Sequence, residues 1–131
     1  MSHIPILNPL RNKFNHIFKK IGEEPGLIKI LTQFYQLQSQ DVLIGFFFAG
    51  KDLEKIAHTQ ASFLMRAWGI SKNYSGKGPA QAHSELPKIL KGHFDRRLEL
   101  LKQTLADANL SHDEINTWVS FENKFRTVVQ S

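Results

Sequence analysis

The chain has 131 residues and a mass of 15.0 kDa, which predicts one domain over residues 1–131 and excludes two independent cores. Its 41% hydrophobic and 22% charged residues exclude a disordered chain, and the absence of cysteine excludes disulfides, cysteine-ligated metals and thiol catalysis. The formal net charge of +5 is compatible with an acidic partner, but six histidines and ten phenylalanines are the more unusual feature.

The N-terminal region predicts neither a secretion signal nor a membrane span. Pro5 and Pro9 interrupt its apolar residues, and no window approaches the roughly 20 apolar residues that a bilayer requires. We therefore expect a soluble, cytoplasmic protein. From Pro9 to Ile21, apolar residues recur at spacings of three and four, which predicts a first helix with one buried face.

Two further helices follow. Gly22 ends the first helix, and the acidic pair before Pro25 predicts the start of the second, because acidic residues and proline suit a first helical turn. Its predicted buried face consists of Leu27, Ile30, Leu31, Phe34 and Leu37. The third helix begins near Asp52 and ends at Gly69. Its stripe consists of Leu53, Ile56, Ala57, Gln60, Phe63, Leu64 and Ala67.

The last third of the chain begins with an irregular segment. Residues 71–92 are rich in glycine, proline and lysine, which predicts mostly loop with at most a short helix. A helical stripe then runs through Phe94, Leu98, Leu101, Leu105 and Ala108. Ser111 and Glu114 form the pattern of a capping box before a final helix, which is predicted to bury Ile115, Trp118, Val119, Phe125 and Val129. The fold class is therefore predicted to be all-α, with about five substantial helices.

His83 is the candidate metal ligand, because it lies in the irregular segment between Pro79 and Pro87 and neutral imidazole is the commonest metal-binding side chain. A solvated loop histidine is the competing interpretation. The chain contains neither His-x-x-x-His nor His-Glu-x-x-His, so a single protein ligand favours a cofactor that supplies the other donors. Haem is such a cofactor, since its ring holds the iron and one axial histidine completes the protein side.

Three further features are compatible with haem. Phe46-Phe47-Phe48 lies at a corner between two helices, where aromatic rings can grip a flat macrocycle or simply fill a core. Gln60 and Tyr35 each fall on an apolar helical face. Each is either a core polar group with a partner or an inward donor that stabilises a polar diatomic ligand.

In order and spacing, these residues resemble the truncated hemoglobins. The resemblance runs from about Ile17 to Val128. It is carried by Phe34-Tyr35, Phe47-Phe48-Ala49-Gly50, Gln60, Phe63, Tyr74-x-Gly76, Ala82-His83 and His93-Phe94-Asp95-Arg96. It implies a two-over-two helical sandwich around haem b, with His83 as the proximal iron ligand. It further implies that Tyr35 and Gln60 stabilise the gas ligand and that Phe48 packs on the macrocycle.

The resemblance also implies which residues contact the cofactor, and the chain departs from the family pattern at two positions. We expect haem contacts from Phe47, Ile56, Tyr74, Lys77 and Phe94. Lys77 belongs to a lysine-rich loop that either pairs with haem propionates or is simply solvated. Where the family usually has a glycine pair, Gly22 is followed by Glu23. Arg97 replaces a residue of the distal pocket, where it points either outward or toward a propionate, and the subgroup is left unassigned.

The resulting functional prediction is a haem protein that binds O2, NO or CO. A tightly held O2 can react with nitric oxide to give nitrate, an activity that would need a reductase partner. The alternative is a cofactor-free helical interaction module. Nucleic-acid binding is not expected, since the positive charges form no continuous stripe. His58 lies about 200° around its helix from Gln60 and is expected at the surface rather than on the iron.

Overall fold

The computed structural model describes residues 9–70 and 91–124, which form five α-helices. These are α1 (Pro9–Lys20), α2 (Glu23–Ser39), α3 (Leu53–Ala67), α4 (Lys91–Asp107) and α5 (His112–Asn123). A short 3-10 helix, Gly45–Phe48, lies between α2 and α3. Neither described range contains a strand, so the all-α prediction is confirmed. Within these ranges, no helix is long and apolar enough to span a membrane.

Helix α2 lies at the centre of the packing. It packs against α1, α3 and α4, while α5 packs against α4 and α1. The buried face of α3 consists of Ala57, Ala61 and Leu64, and two alanines in this face allow a neighbouring backbone to approach closely. Ala67, which the stripe pattern placed inside, is exposed. The core of the described residues is therefore built on α2, with its side chains facing both α3 and α4.

An aromatic cluster packs between α1, the end of α3 and α5. The ring of Trp68, just after α3, stacks on Phe14 of α1 with centroids 4.6 Å apart and meets Trp118 of α5 edge-on at 4.9 Å. All three side chains are buried. Such ring pairs contribute about 0.5 to 1.5 kcal/mol each beyond the area they bury. The cluster therefore joins three elements that are distant in sequence.

The capping box predicted before the last helix is present at α5. The Glu114 N–H donates to the Ser111 hydroxyl at 3.2 Å, and the Ser111 N–H donates to the Glu114 carboxylate at 2.7 Å. Lys20 of α1 also reaches this carboxylate, with Nζ 2.7 Å from Oε1. The Lys20 ammonium and the Ser111 N–H hold the pKa of Glu114 below its usual value. Glu114 thus starts α5 and ties it to α1.

The joint between α1 and α2 departs from a simple glycine pair. Gly22 has φ of +102°, and Glu23 also lies in the left-handed region with φ of +58°. The chain approaches itself closely at Gly26, where an added Cβ would lie 1.7 Å from the carbonyl oxygen of Ile21. Gly26, one turn into α2, therefore supplies the small residue that lets the two helices meet tightly.

Replacing Gly26 with alanine is expected to lower the free energy of unfolding by about 1 to 3 kcal/mol, because the clash is with backbone that must move. Equilibrium urea unfolding measures this loss. Gly92→Ala is the matched control, since a Cβ there meets nothing within 4 Å and alanine is the better helix former. Equal stability of the Gly26→Ala and Gly92→Ala variants would contradict this account of the joint.

Candidate functional site

Tyr35 lies deep between helices. The apolar spacing of α2 places it one turn after Leu31, and only 3% of the residue is exposed. Its ring meets Phe48 edge-on with centroids 5.8 Å apart and lies 5.3 Å from the ring of Phe34. The prediction that Tyr35 points inward is therefore confirmed, and its neighbour Phe48 is one of the predicted cofactor contacts.

The carboxylate of Asp41 links α4 to the corner between α2 and α3. Asp41 accepts hydrogen bonds from the N–H groups of Leu43 and Ile44 at 3.0 and 3.3 Å. The same side chain accepts two bonds from Arg96, from Nε at 3.0 Å and from Nη2 at 2.8 Å. Hydrogen bonding from Arg96 holds the pKa of Asp41 below its usual value. This link holds the phenylalanine corner against α4.

The three corner phenylalanines have different environments. Phe47 is buried, Phe48 is half-buried, and Phe46 is 54% exposed. Phe46 and Phe47 stack with centroids 4.2 Å apart, and both meet the His93 ring edge-on. Two of the three rings therefore pack around the start of α4, and the third, Phe48, packs on Tyr35.

Helix α3 carries a second apolar stripe beside its buried face. Ile56, Gln60 and Phe63 share this stripe at spacings of four and three, and all three are half-buried among the described residues. His58 is exposed, as the helical geometry predicted. The partly covered apolar stripe and the half-buried ring of Phe48 fit a flat, mainly apolar cofactor, and Gln60 supplies a polar group within that stripe.

Arg97 is buried, which the sequence analysis did not predict. Only 8% of the residue is exposed, and its Nη1 lies 2.9 Å from Oε1 of Glu122 on α5. Trp118 donates from Nε1 to the other oxygen of that carboxylate at 3.4 Å. The guanidinium carbon lies 5.1 Å from the ring centroid of Phe34 and 5.9 Å from that of Phe94. Arg97 is held inside by charge pairing and by aromatic faces.

The sequence left two directions open for Arg97, outward or toward a propionate. The structure shows neither, because Arg97 forms a buried ion pair with Glu122. A signal was available, because Arg97 lies three residues after Phe94 and four before Leu101 and so belongs to the buried stripe of α4. Glu122 likewise lies one turn after Trp118. The spacing argument that placed Gln60 on an apolar stripe would have placed each of these two residues on a buried face, without showing that they pair.

Tyr35 and Arg97 both pack against the ring of Phe34. The charges of Arg97 and Glu122 both act on the tyrosine hydroxyl. Burial raises the pKa of Tyr35, and the positive charge of Arg97 only partly opposes this. Burial alone would lower the pKa of Arg97, but Glu122 and Tyr35 together raise it. The tyrosine is thus a neutral hydroxyl beside a permanently charged guanidinium.

The remaining predicted site residues are divided between described and undescribed parts of the chain. Phe94 is buried on α4. Tyr74, Lys77 and His83 lie outside the described residues, so their predicted roles stay predictions. Residues 9–70 and 91–124 hold no group of three or more side chains that could bind a metal ion together. These residues therefore offer no candidate for a metal site built from protein ligands alone.

A groove of about 350 Å³ lies between α1 and α5. Its lining includes Asn12, His16, Glu114 and Thr117. None of the predicted site residues takes part in this lining. The described residues of the candidate site therefore lie on α2 and on the elements that pack against it, namely the corner, α3 and α4.

Comparison with known proteins gives consistent matches. The family model described as bacterial-like globin matches residues 16–131. The group 1 truncated hemoglobin of Synechocystis sp. is 33% identical over 102 residues, which cover 76% of this chain and 82% of that protein. The truncated hemoglobin of Tetrahymena pyriformis superposes with a TM-score of 0.77 at 25% identity, over 88% of this chain and 97% of that one. The 2/2 hemoglobin of Synechococcus sp. PCC 7002, solved in the cyanomet state with covalently attached haem, gives 0.73 at 26% identity over 86% and 95%.

Proposed function

Because this chain belongs to the bacterial-like globins and, among them, to the truncated hemoglobins, we propose that it holds haem b through His83 and binds O2 and other diatomic gases. Its fold is the two-over-two helical arrangement of the 2/2 hemoglobins it superposes on. Haem supplies an iron atom with a coordination position open to a gas molecule. A haem cofactor is supported by this membership and by the haem of the Synechococcus relative.

The observation that carries the proposal is the buried hydroxyl of Tyr35. A tyrosine that is 3% exposed and packed against Phe48 lies in the protein interior, where a hydrogen bond is stronger than in water. Its O–H group can donate to a gas ligand that carries partial negative charge. Gln60, on the partly covered stripe of α3, supplies a second donor.

The other residues of the proposed site form its walls. Phe48, Phe47, Ile56 and Phe94 supply apolar surface from the corner, α3 and α4. Tyr74 and Lys77 would complete the border of the cofactor, and the lysine could pair with a propionate. His83 would hold the iron through one ring nitrogen, and a hydrogen bond to the other ring nitrogen would orient the imidazole, as at other metal sites.

We further propose that the protein converts nitric oxide and O2 to nitrate. The reaction joins one NO to one O2 and consumes one electron, which a bound haem would supply and a reductase would have to replace. Two donors on the gas ligand support this activity over simple transport, because they slow O2 release. Reduced haem and a reductase partner both fit a cytoplasmic location.

Titration of the haem-free protein with hemin tests the cofactor. We expect an intense Soret band that saturates at one haem per chain. A colourless protein that takes up no hemin would favour the cofactor-free interaction module instead.

The rate of O2 dissociation from the ferrous protein tests the role of Tyr35. Tyr35→Phe is expected to release O2 about ten to a hundred times faster, because a hydrogen bond to a charged group contributes about 1.5 to 3 kcal/mol. Thr104→Val is the matched control, since it removes a buried hydroxyl that donates within α4, to the carbonyl of Leu100. An unchanged rate in Tyr35→Phe would show that the hydroxyl does not contact the gas.

A further inference from the structure

Gln38 is a buried glutamine near the end of α2 whose amide nitrogen lacks a hydrogen-bond partner. Only 1% of the residue is exposed, and its Nε2 donates to no acceptor among residues 9–70 and 91–124. Buried polar groups nearly always have a partner, and a buried donor without one destabilises a protein. An apolar side chain of similar size would fill the space without that cost. Packing within the described part of the chain therefore does not explain an amide at this position.

The position of Gln38 on its helix places it on the same face as Tyr35. It lies three residues after Tyr35 and four after Phe34, and such helical neighbours have Cβ atoms about 5–6 Å apart. All three residues are buried. The apolar spacing of α2 predicted this face without Gln38, because glutamine is polar. Gln38 nevertheless belongs to the face of α2 that carries the proposed gas donor.

Contacts on both sides of Gln38 connect this part of α2 to α4. One turn earlier, the ring of Phe34 lies 5.1 Å from a guanidinium carbon of α4. One turn later, the Asp41 carboxylate accepts two hydrogen bonds from α4. The turn of α2 that carries Gln38 therefore packs on the beginning of α4, which also carries Phe94, a proposed wall of the haem site.

The chemistry of the amide selects the acceptor that it lacks. Its N–H groups donate and need a lone pair, so an oxygen atom fits and a ring carbon does not. A haem complex offers oxygen atoms on its propionates and on a gas ligand. A propionate is charged and costly to bury away from water, whereas a gas ligand lies inside the protein. The deep burial of Gln38 therefore favours the gas ligand.

We propose that Gln38 is a third polar residue of the gas site, with its Nε2 donating to the gas ligand beside the Tyr35 hydroxyl. This inference rests on the proposed function, because the acceptor is a gas held by haem. The amide then has a partner only in the gas complex. The same side chain destabilises the haem-free protein and slows the release of the gas.

The rate of O2 release from a Gln38→Leu variant tests the proposal, because leucine fills a similar volume and donates nothing. We expect release about three to ten times faster, the effect of one lost hydrogen bond. In the Tyr35→Phe background the same exchange should again speed release by a similar factor, since the amide contacts the gas directly. Gln33→Leu, at an exposed glutamine of α2, is the matched control and should leave the rate unchanged.

Two further measurements distinguish a contact with the gas from a structural role. The C–O stretching frequency of the ferrous CO complex responds to a donor that faces the gas. It should shift in Gln38→Leu and stay constant in Gln33→Leu. Haem-free Gln38→Leu should unfold at a higher urea concentration than the unmodified haem-free protein, because it has lost a buried donor without a partner. A lower midpoint would contradict the proposal, since the amide would then have a partner without haem.

The outcomes separate the two proposals. If Tyr35→Phe speeds O2 release but Gln38→Leu changes neither the rate nor the C–O frequency, the role of Gln38 is wrong and the function stands. An effect of Gln38→Leu that disappears in the Tyr35→Phe background also overturns it, because the amide would then act through the tyrosine. Weaker binding of hemin by Gln38→Leu, with unchanged binding of hemin dimethyl ester, would assign the amide to a propionate instead. If the unmodified protein takes up no haem, the proposed function itself fails.

Discussion

Replacing Arg97 with alanine is expected to lower the free energy of unfolding by about 3 to 5 kcal/mol, because the Glu122 carboxylate is then buried without its charged partner. This is a large part of the 5 to 15 kcal/mol typical of a domain. Equilibrium urea unfolding at fixed haem content measures the loss as a lower midpoint with an unchanged slope.

Two controls separate the unpaired charge from the loss of side-chain volume. The variant Arg97→Met/Glu122→Gln should recover most of the stability, to within about 1.5 kcal/mol of the unmodified protein, since it leaves no lone charge inside. Lys102→Ala, at an exposed position of α4, should change stability by no more than about 0.5 kcal/mol. If Arg97→Ala and Lys102→Ala unfold at the same urea concentration, the pair does not matter to stability.

Replacing His83 with alanine is expected to weaken haem binding by at least about a hundredfold, because groups that merely support a metal ligand already contribute 10- to 100-fold to affinity. The purified variant should show little or no Soret absorption. Added imidazole should restore part of that absorption by occupying the space left by the side chain, which separates a lost ligand from a misfolded protein.

Two other histidines provide the comparison. His58 is exposed on α3, and His93 packs against the rings of Phe46 and Phe47 at the start of α4. His58→Ala and His93→Ala should each keep a full complement of haem. If His83→Ala also binds hemin with unchanged affinity and spectrum, the iron has a different axial ligand.

Local sequence signals predicted the helices well because their causes are local. The capping box of Ser111 and Glu114 and the N-cap at Asp52 depend on residues three apart, so the sequence determines them directly. The inward direction of Tyr35 follows in the same way from the period of α2. These features needed no knowledge of how the helices pack.

Features that depend on pairing between distant segments were missed. The stripe of α5 was assigned to apolar residues, yet Glu122 is buried, because its partner Arg97 stands on another helix 25 residues away. Asp41 likewise meets Arg96 across 55 residues. A charged residue on an apolar stripe signals burial only when a partner of opposite charge is known, and periodicity in one helix does not identify that partner.

The two adjacent arginines of α4 have one further consequence. Neighbouring residues on an α-helix project about 100° apart, so Arg96 and Arg97 anchor α4 to the corner carboxylate of Asp41 and to Glu122 in different directions. Turning α4 about its own axis would move both guanidinium groups away from their carboxylate partners. The two ion pairs therefore oppose rotation of α4 in the packed protein.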